Sequence, residues 1–173
     1  MPRAIVFFLA LIAVPAAAAA QAPQRYESKL AAGHAMYLAG DAAGALAKYG
    51  EAKDMDPGKP DAYYFIGAAK ARLGNTEEAI SSLETAATIA GDKDVAMHAK
   101  ALFAAATIYD AKADWDAASE AWKKYLEYAE AHADVAAFAD AAKSRISVIE
   151  RRHALETEGA AIHSRADNKG DQS

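Results

Sequence analysis

Side chains that could catalyse a reaction or bind a metal are scattered along this chain. Metal and catalytic sites need several donor groups that converge, for example two histidines four residues apart on one helix. None of the five histidines has such a partner, and cysteine is absent. The histidines are His34, His98, His132, His153 and His163. We therefore expect no metal site, and we expect the histidines to be solvated surface residues.

Serine and carboxylate chemistry is not favoured either. No serine is flanked by the glycines of a nucleophile elbow, and no glycine-rich phosphate loop leads into a Lys-Ser or Lys-Thr pair. Carboxylates do occur close together, as Glu77 with Glu78 and Asp114 with Asp116. Both pairs fall at predicted helix starts, where the helix dipole favours negative charge. The sequence therefore predicts no catalytic residue, no cofactor and no enzymatic activity.

Composition indicates closely packed helices and argues against a nucleic-acid partner. The net charge is -5, and no run of Lys and Arg offers the clustered positive charge that phosphate binding needs. We accordingly expect no nucleic-acid partner. Hydrophobic residues make up 53% of the chain, and many of them are alanines. Such small side chains predict helices that lie close together.

The segment 1–20 has the features of a secretory signal peptide. Arg3 gives a positive start, the segment 4–14 is apolar, and small residues lead up to Ala20. The apolar segment is shorter than the roughly 20 residues that span a bilayer. We expect cleavage after Ala20, which would place the mature chain in the periplasm of a bacterium or outside the cell, free of the membrane. An uncleaved anchor is the alternative. Residues 21–25 are predicted to be a linker.

An internal repeat, in which residue types recur at one constant shift, is the most informative pattern in the chain. The pairs that recur at this shift are Gly33 with Gly67, Gly40 with Gly74, Ala45 with Ala79, and Ala52 with Ala86. A repeat with the spacing that separates position 33 from position 67 indicates stacked supersecondary units that bury their apolar faces against one another. The residues Asp41, Asn75 and Asp94 precede predicted helices as N-caps, with Asn75 and Glu78 at the spacing of a capping box.

These units resemble the tetratricopeptide repeat. The second unit carries the resemblance through Tyr63, Ile66, Gly67, Ala79, Leu83 and Ala86. The first matches through Gly33, Ala45, Tyr49, Ala52 and Pro57. The third matches through Leu102, Ala106, Tyr109, Trp115, Ala118 and Trp122, and it starts five residues late. We account for the late start by a first helix that is lengthened by about one turn and covers 95–112.

The resemblance implies an all-α, right-handed superhelical stack of three helix-turn-helix hairpins. We place the repeats at about 26–59, 60–93 and 99–132. An amphipathic run at 134–157 is predicted to be a capping helix, which completes a domain at 26–157. The small, polar remainder at 158–173 is predicted to be a disordered tail.

By the same resemblance, the first helices of the hairpins line a concave groove that binds a peptide or helix of another protein. The predicted groove residues are Leu30, His34, Tyr37, Leu38, Tyr64, Ala68, Arg72, Phe103, Thr107 and Asp110. Tyr37, Tyr64 and Phe103 would form an aromatic stripe, although filling gaps between repeats would also explain them. Some family members clasp a C-terminal carboxylate here, but Leu30, Ala68 and Phe103 replace several polar groups needed for it.

The function implied is a non-catalytic adaptor of the bacterial cell envelope. The alternative is a self-associating scaffold or assembly factor in envelope or secretion machinery. Self-association would use the exposed edge of the first unit near Lys29, giving a weak homo-oligomer.

Overall fold

The computed structural model describes residues 16–170, and these form a stack of helical hairpins. The α-helices are α1 (Ala16–Leu38), α2 (Ala42–Met55), α3 (Pro60–Arg72), α4 (Thr76–Ala90), α5 (Val95–Ala111), α6 (Trp115–Ala131) and α7 (Ala139–Gly170). A 3₁₀ helix, Ala133–Phe138, joins α6 to α7. Residues 16–170 contain no strand. The all-α prediction is confirmed, and the long α5 agrees with the late start of the third unit.

Glycine seams hold α1 against α2 and α3 against α4. A Cβ on Gly67 would lie 2.7 Å from Leu83 Cγ, and a Cβ on Gly33 would overlap the Tyr49 ring. Both glycines therefore let the partner helix approach to a distance that any side chain would prevent. Tyr49 and Leu83 are themselves one repeat period apart. The two hairpins thus share one packing arrangement, as the internal period predicts.

Acidic side chains begin the second and fifth helices. Asp41 accepts a hydrogen bond of 2.7 Å from the amide of the third residue of α2, and Asp94 accepts one of 3.0 Å in α5. The capping box predicted for α4 is wrong, because Asn75 makes no side-chain hydrogen bond to that helix. Glu78 instead pairs with Lys70 of α3 at 2.9 Å. The ion pair competes successfully because Lys70 brings a full charge within reach.

Bonds between successive units place α1, α3, α5 and α7 side by side. The Arg72 guanidinium donates to the Tyr37 carbonyl at 2.8 Å, which joins α3 to α1. Arg145 of α7 pairs with Asp110 of α5 through two hydrogen bonds. The Tyr26 hydroxyl accepts a hydrogen bond of 3.2 Å from an amide in the first turn of α3. The Lys100 ammonium of α5 lies over the Tyr64 ring of α3, which joins the two pairs. The first helices of the hairpins therefore line one face, and α7 closes the stack at its far end.

The two ends of the described chain differ from the sequence expectation. The predicted linker, 21–25, lies within α1, and the part of the predicted tail up to residue 170 lies within α7. Both segments contain good helix formers, among them alanine and arginine. Residues 1–15 of the predicted signal peptide, and 171–173 of the tail, lie outside the described residues.

The capping helix is shorter at its start than predicted, since 134–138 falls in the 3₁₀ helix. Further along, Trp115 Nε1 donates to Glu156 Oε2 at 2.6 Å, which holds α7 against the start of α6.

Within 16–170, no helix has both the length and the apolar composition required to cross a bilayer.

Candidate partner-binding groove

The face shared by α1, α3 and α5 contains a cavity of about 440 Å³, which we call the N-terminal cavity. Its walls come from three first helices together with one residue of α2. The lining residues are His34, Tyr37, Leu38, Tyr49, Tyr64, Phe65, Ala68 and Lys100. Most of this lining is aromatic or aliphatic, so the cavity suits an apolar side chain.

The rings of this cavity are fixed by one another. His34 Nδ1 lies 2.8 Å from the Tyr49 hydroxyl. The His34 ring packs edge-on to Phe65 at a centroid distance of 4.2 Å, and the Tyr49 and Phe65 rings stack at 5.4 Å. Burial raises the pKa of Tyr49 and Tyr64. A bound segment would meet rings that hold one another in place.

Two cations lie against these rings. The Lys100 ammonium is 4.4 Å from the centroid of Tyr64 and 5.6 Å from that of Phe65. The Arg72 guanidinium is 4.8 Å from the centroid of Tyr37. Both distances to tyrosine fall within the range of a cation–π interaction. The aromatic wall is thus edged with positive charge.

A second cavity, of about 290 Å³, adjoins the first at Lys100, and we call it the C-terminal cavity. Its lining residues are Ala96, Ala99, Lys100, Phe103, Tyr125, Asp134, Val135 and Phe138. Phe103 forms its centre, with ring centroids 5.2 Å from Tyr125 and 5.7 Å from Phe138. Phe138 is 59% exposed, which leaves this cavity open to a partner.

Six of the ten predicted groove residues line these cavities. They are His34, Tyr37, Leu38, Tyr64 and Ala68 in the first cavity and Phe103 in the second. Arg72 lies beside them through its contact with Tyr37. The structure separates Phe103 from the two tyrosines, so the predicted stripe is divided between two cavities.

The other three predicted residues lie elsewhere. Leu30 is only 5% exposed and packs in the core with Tyr26 and Ile66, so its assignment to the groove surface is wrong. It points inward because it follows Tyr26 by one helical turn on the buried side of α1. Thr107 is exposed and bonds to the carbonyl of its own helix at Phe103. Asp110 is occupied by Arg145.

Sequence reasoning missed several lining residues. Lys100 lies three residues before Phe103 and seven before Thr107, so the helical spacing of the predicted groove face already included it. Phe138 falls within the amphipathic run predicted at 134–157, and its apolar side chain is exposed. Tyr49 was recognised only as a repeat position, although its ring reaches through the hairpin to the cavity.

Part of the chain is similar to a known protein family. Residues 36–101 match the tetratricopeptide repeat. This segment includes most of the first two hairpins and the start of α5, so the match supports the resemblance noted in the sequence. No curated protein matches the chain.

Solved structures extend the likeness over most of the chain. The N-terminal domain of stress-induced protein-1 (STI-1) from C. elegans is 19% identical with a TM-score of 0.64, covering 75% of this chain and 97% of that one. The TPR2B domain of yeast Sti1 in its pHsp70 complex is 19% identical with a TM-score of 0.63, covering 75% and 98%. PcrH in complex with the chaperone binding region of PopD is 20% identical with a TM-score of 0.61, covering 83% and 98%. At these identities the likeness shows a shared tetratricopeptide-like helical fold.

Several histidines of the described residues pack against other side chains and form no metal-binding cluster. No three or more histidine, aspartate or glutamate side chains of that region lie close enough together to hold a metal ion. His98 and His132 each stack on Tyr128, with centroid distances of 4.0 and 4.2 Å. Tyr128 also donates to the Gly91 carbonyl at 3.2 Å. This group therefore ties the loop after α4 to α5 and α6.

Proposed function

We propose that this chain is a non-catalytic adaptor that binds a segment of a partner protein along the groove formed by α1, α3 and α5. The observation that carries the proposal is the pair of adjoining apolar cavities on that face, which meet at Lys100. Aromatic rings provide large contact areas at a small cost in conformational entropy, so they are effective anchors for a peptide or helix.

Two of the similar structures support a polypeptide as the occupant. One contains yeast Sti1 with pHsp70, and another contains PcrH with a region of PopD. Both share the fold of this chain and hold a protein or peptide partner. Which segment this chain binds depends on its own groove side chains.

We also propose that the adaptor acts in the bacterial cell envelope, as the signal-peptide pattern of residues 1–20 suggests. Cleavage after Ala20 would remove the start of α1 as the structure has it, 16–20. The remaining helix would keep Tyr26 and its bond to α3. Mass spectrometry of the protein from its native host should find Gln21 at the N-terminus. An intact N-terminus in the membrane fraction would instead favour the anchor.

Site-specific photo-crosslinking in the native host tests the groove. A photoreactive phenylalanine analogue replaces Leu38, which is 84% exposed at the N-terminal cavity, or Phe138 at the C-terminal cavity. The matched control is Met55, which is 46% exposed and lines neither cavity. We expect the same partner adduct from both groove positions and none from Met55. Equal adducts from all three positions, or adducts from Met55 alone, would refute the groove assignment.

Self-association is a second candidate, favoured by a row of exposed apolar residues on α7. Val148, Leu155 and Ile162 are 49%, 62% and 57% exposed. They are spaced seven residues apart, so the row turns by only about 20° per heptad and stays on one face. In an antiparallel pair of α7 helices centred on Leu155, Val148 would face Ile162 and Arg152 would face Glu158. Hydrophobic and charged groups would then match across the two-fold axis.

Molar mass from light scattering tests this second candidate. A dimer that Leu155→Glu converts to a monomer would support it, whereas a strict monomer at high micromolar concentration would exclude it. The edge near Lys29 has less support as the contact surface, because Lys29 already pairs with Glu51.

A further inference from the structure

We infer that the partner segment presents a carboxylate to Lys100, between two apolar side chains that occupy the N-terminal and C-terminal cavities. The inference rests on the proposed function and specifies the chemistry of the partner. Its starting point is the position of Lys100, which lines both cavities. Any segment that fills the two cavities at once must pass this side chain.

Lys100 differs from most lysines of the described chain in its electrostatic partners. Eight lysines there pair with carboxylates within 4.0 Å, namely Lys29, Lys48, Lys53, Lys59, Lys70, Lys112, Lys123 and Lys143. Lys100 makes no ion pair with a described residue, and its contacts are the faces of Tyr64 and Phe65. Its side chain is exposed. The ammonium group is therefore positioned by two rings and remains available to a carboxylate.

The charged groups around the groove agree with an acidic segment. Arg72 adds a second positive charge on the Tyr37 ring, at the other side of the N-terminal cavity. Asp134 lines the C-terminal cavity together with Lys100 but forms no ion pair with it within the described contacts. In a chain of net charge -5, this local positive field would attract an acidic peptide and orient it.

The cavities on either side of Lys100 favour apolar neighbours for that carboxylate. The walls of the first are mainly aromatic, and the second is built around Phe103 and Phe138. An aromatic or large aliphatic side chain would lose water on entering either cavity, which is favourable. The expected recognition element is thus an acidic residue with large apolar residues on both sides of it in the bound segment.

A library of random dodecapeptides displayed on phage provides the probe. It is selected in parallel against the wild-type protein, Lys100→Glu and the control Lys123→Glu, whose lysine lies outside both cavities. Selected peptides are then synthesised, and their dissociation constants are measured by fluorescence anisotropy. Lys100→Met serves as a milder variant, since it keeps an apolar stem on the Tyr64 ring and removes only the charge.

We expect peptides selected on the wild type and on Lys123→Glu to carry Asp or Glu between large apolar residues. Lys100→Glu should select Lys or Arg at that place. Lys100→Met should weaken the wild-type peptides by about tenfold or more, the effect of losing a charge-assisted hydrogen bond.

Peptides that lose binding in Tyr64→Ala but show no acidic residue would overturn this inference and leave the proposed function standing. The same applies if Lys100→Glu retains the acidic preference. Failure to select any peptide, or selection of peptides that bind Tyr64→Ala as well as the wild type, would overturn both.

Discussion

The close approach of α3 and α4 at Gly67 predicts whether a side chain added there raises or lowers the stability of the protein. A Cβ at this position would lie 2.7 Å from Leu83 Cγ and 3.0 Å from the Ala79 carbonyl oxygen. Cγ is the branch point of leucine, and a helix carbonyl is fixed, so neither atom can move aside without moving its helix. Gly67→Ala should therefore push the two helices apart.

The magnitude follows from two opposing effects. Alanine in place of glycine inside a helix gains about 0.8–1 kcal/mol from backbone propensity. Overpacking a tight core costs about 1–3 kcal/mol. Gly67→Ala should thus lower the free energy of unfolding by up to about 2 kcal/mol.

Gly50 gives a matched control within α2. A Cβ there would meet nothing within 4 Å, so Gly50→Ala should gain the propensity term alone, about 1 kcal/mol. The same chemical change is therefore expected to stabilise the protein at one position and destabilise it at the other.

Urea and thermal unfolding followed by circular dichroism measure both changes. For a domain of this size, 1 kcal/mol corresponds to about 2–4 °C in melting temperature. If Gly67→Ala raises the melting temperature as Gly50→Ala does, the seam is not tight and the register of the hairpin is wrong.

Three further predictions concern a turn, a buried phenol and the capping helix. Ala113 has a φ of 57°, and Gly74, in the corresponding turn of the preceding hairpin, has a φ of 82°. Glycine adopts a positive φ more easily than alanine. Ala113→Gly should therefore raise the free energy of unfolding in urea by up to about 1 kcal/mol, and Gly74→Ala should lower it. Burial raises the pKa of Tyr26 to about 12. The unfolded chain therefore loses this proton near pH 10 while the folded chain keeps it. The free energy of unfolding should fall between about pH 10 and 12, and Tyr26→Phe should make that fall smaller when urea unfolding is measured as a function of pH. Asp110→Asn should weaken the pairing with Arg145 and increase hydrogen exchange in α7, whereas unchanged exchange would show that other contacts dock this helix.

The internal period was sufficient to predict the hairpins, because their seams depend on residue size. Gly33 and Gly67 are recognisable in the sequence as the positions where a side chain cannot fit, and the structure gives both the same kind of neighbour. Local caps were partly predictable as well, because a capping side chain bonds to an amide of the helix that follows it. Asp41 and Asp94 bond as expected, but the side-chain competition that draws Glu78 to Lys70 depends on a neighbouring helix.

The groove was harder to predict because it depends on how far each helix is rotated about its axis. The family resemblance implied that Leu30 and His34 both face the groove, yet the rotation of α1 about its axis puts Leu30 in the core and His34 in the cavity. Phe138 was beyond prediction for another reason. Its exposure depends on the 3₁₀ helix between α6 and α7, and the amphipathic pattern of that segment resembles an α-helix.

In the first hairpin one side chain belongs both to the glycine seam and to the N-terminal cavity, whereas in the second hairpin none does. The Tyr49 ring packs directly on Gly33, and the same ring stacks on Phe65 and bonds to His34 in the N-terminal cavity. A side chain at Gly33 would therefore displace a wall of the groove as well as the helix pair. At the corresponding place in the second hairpin, Leu83 packs on a glycine but lines neither cavity. Overpacking at that seam should reduce stability, and the added atoms would meet no side chain that lines either cavity. Tyr49 thus distinguishes a seam that only holds two helices together from one that also forms a wall of the N-terminal cavity.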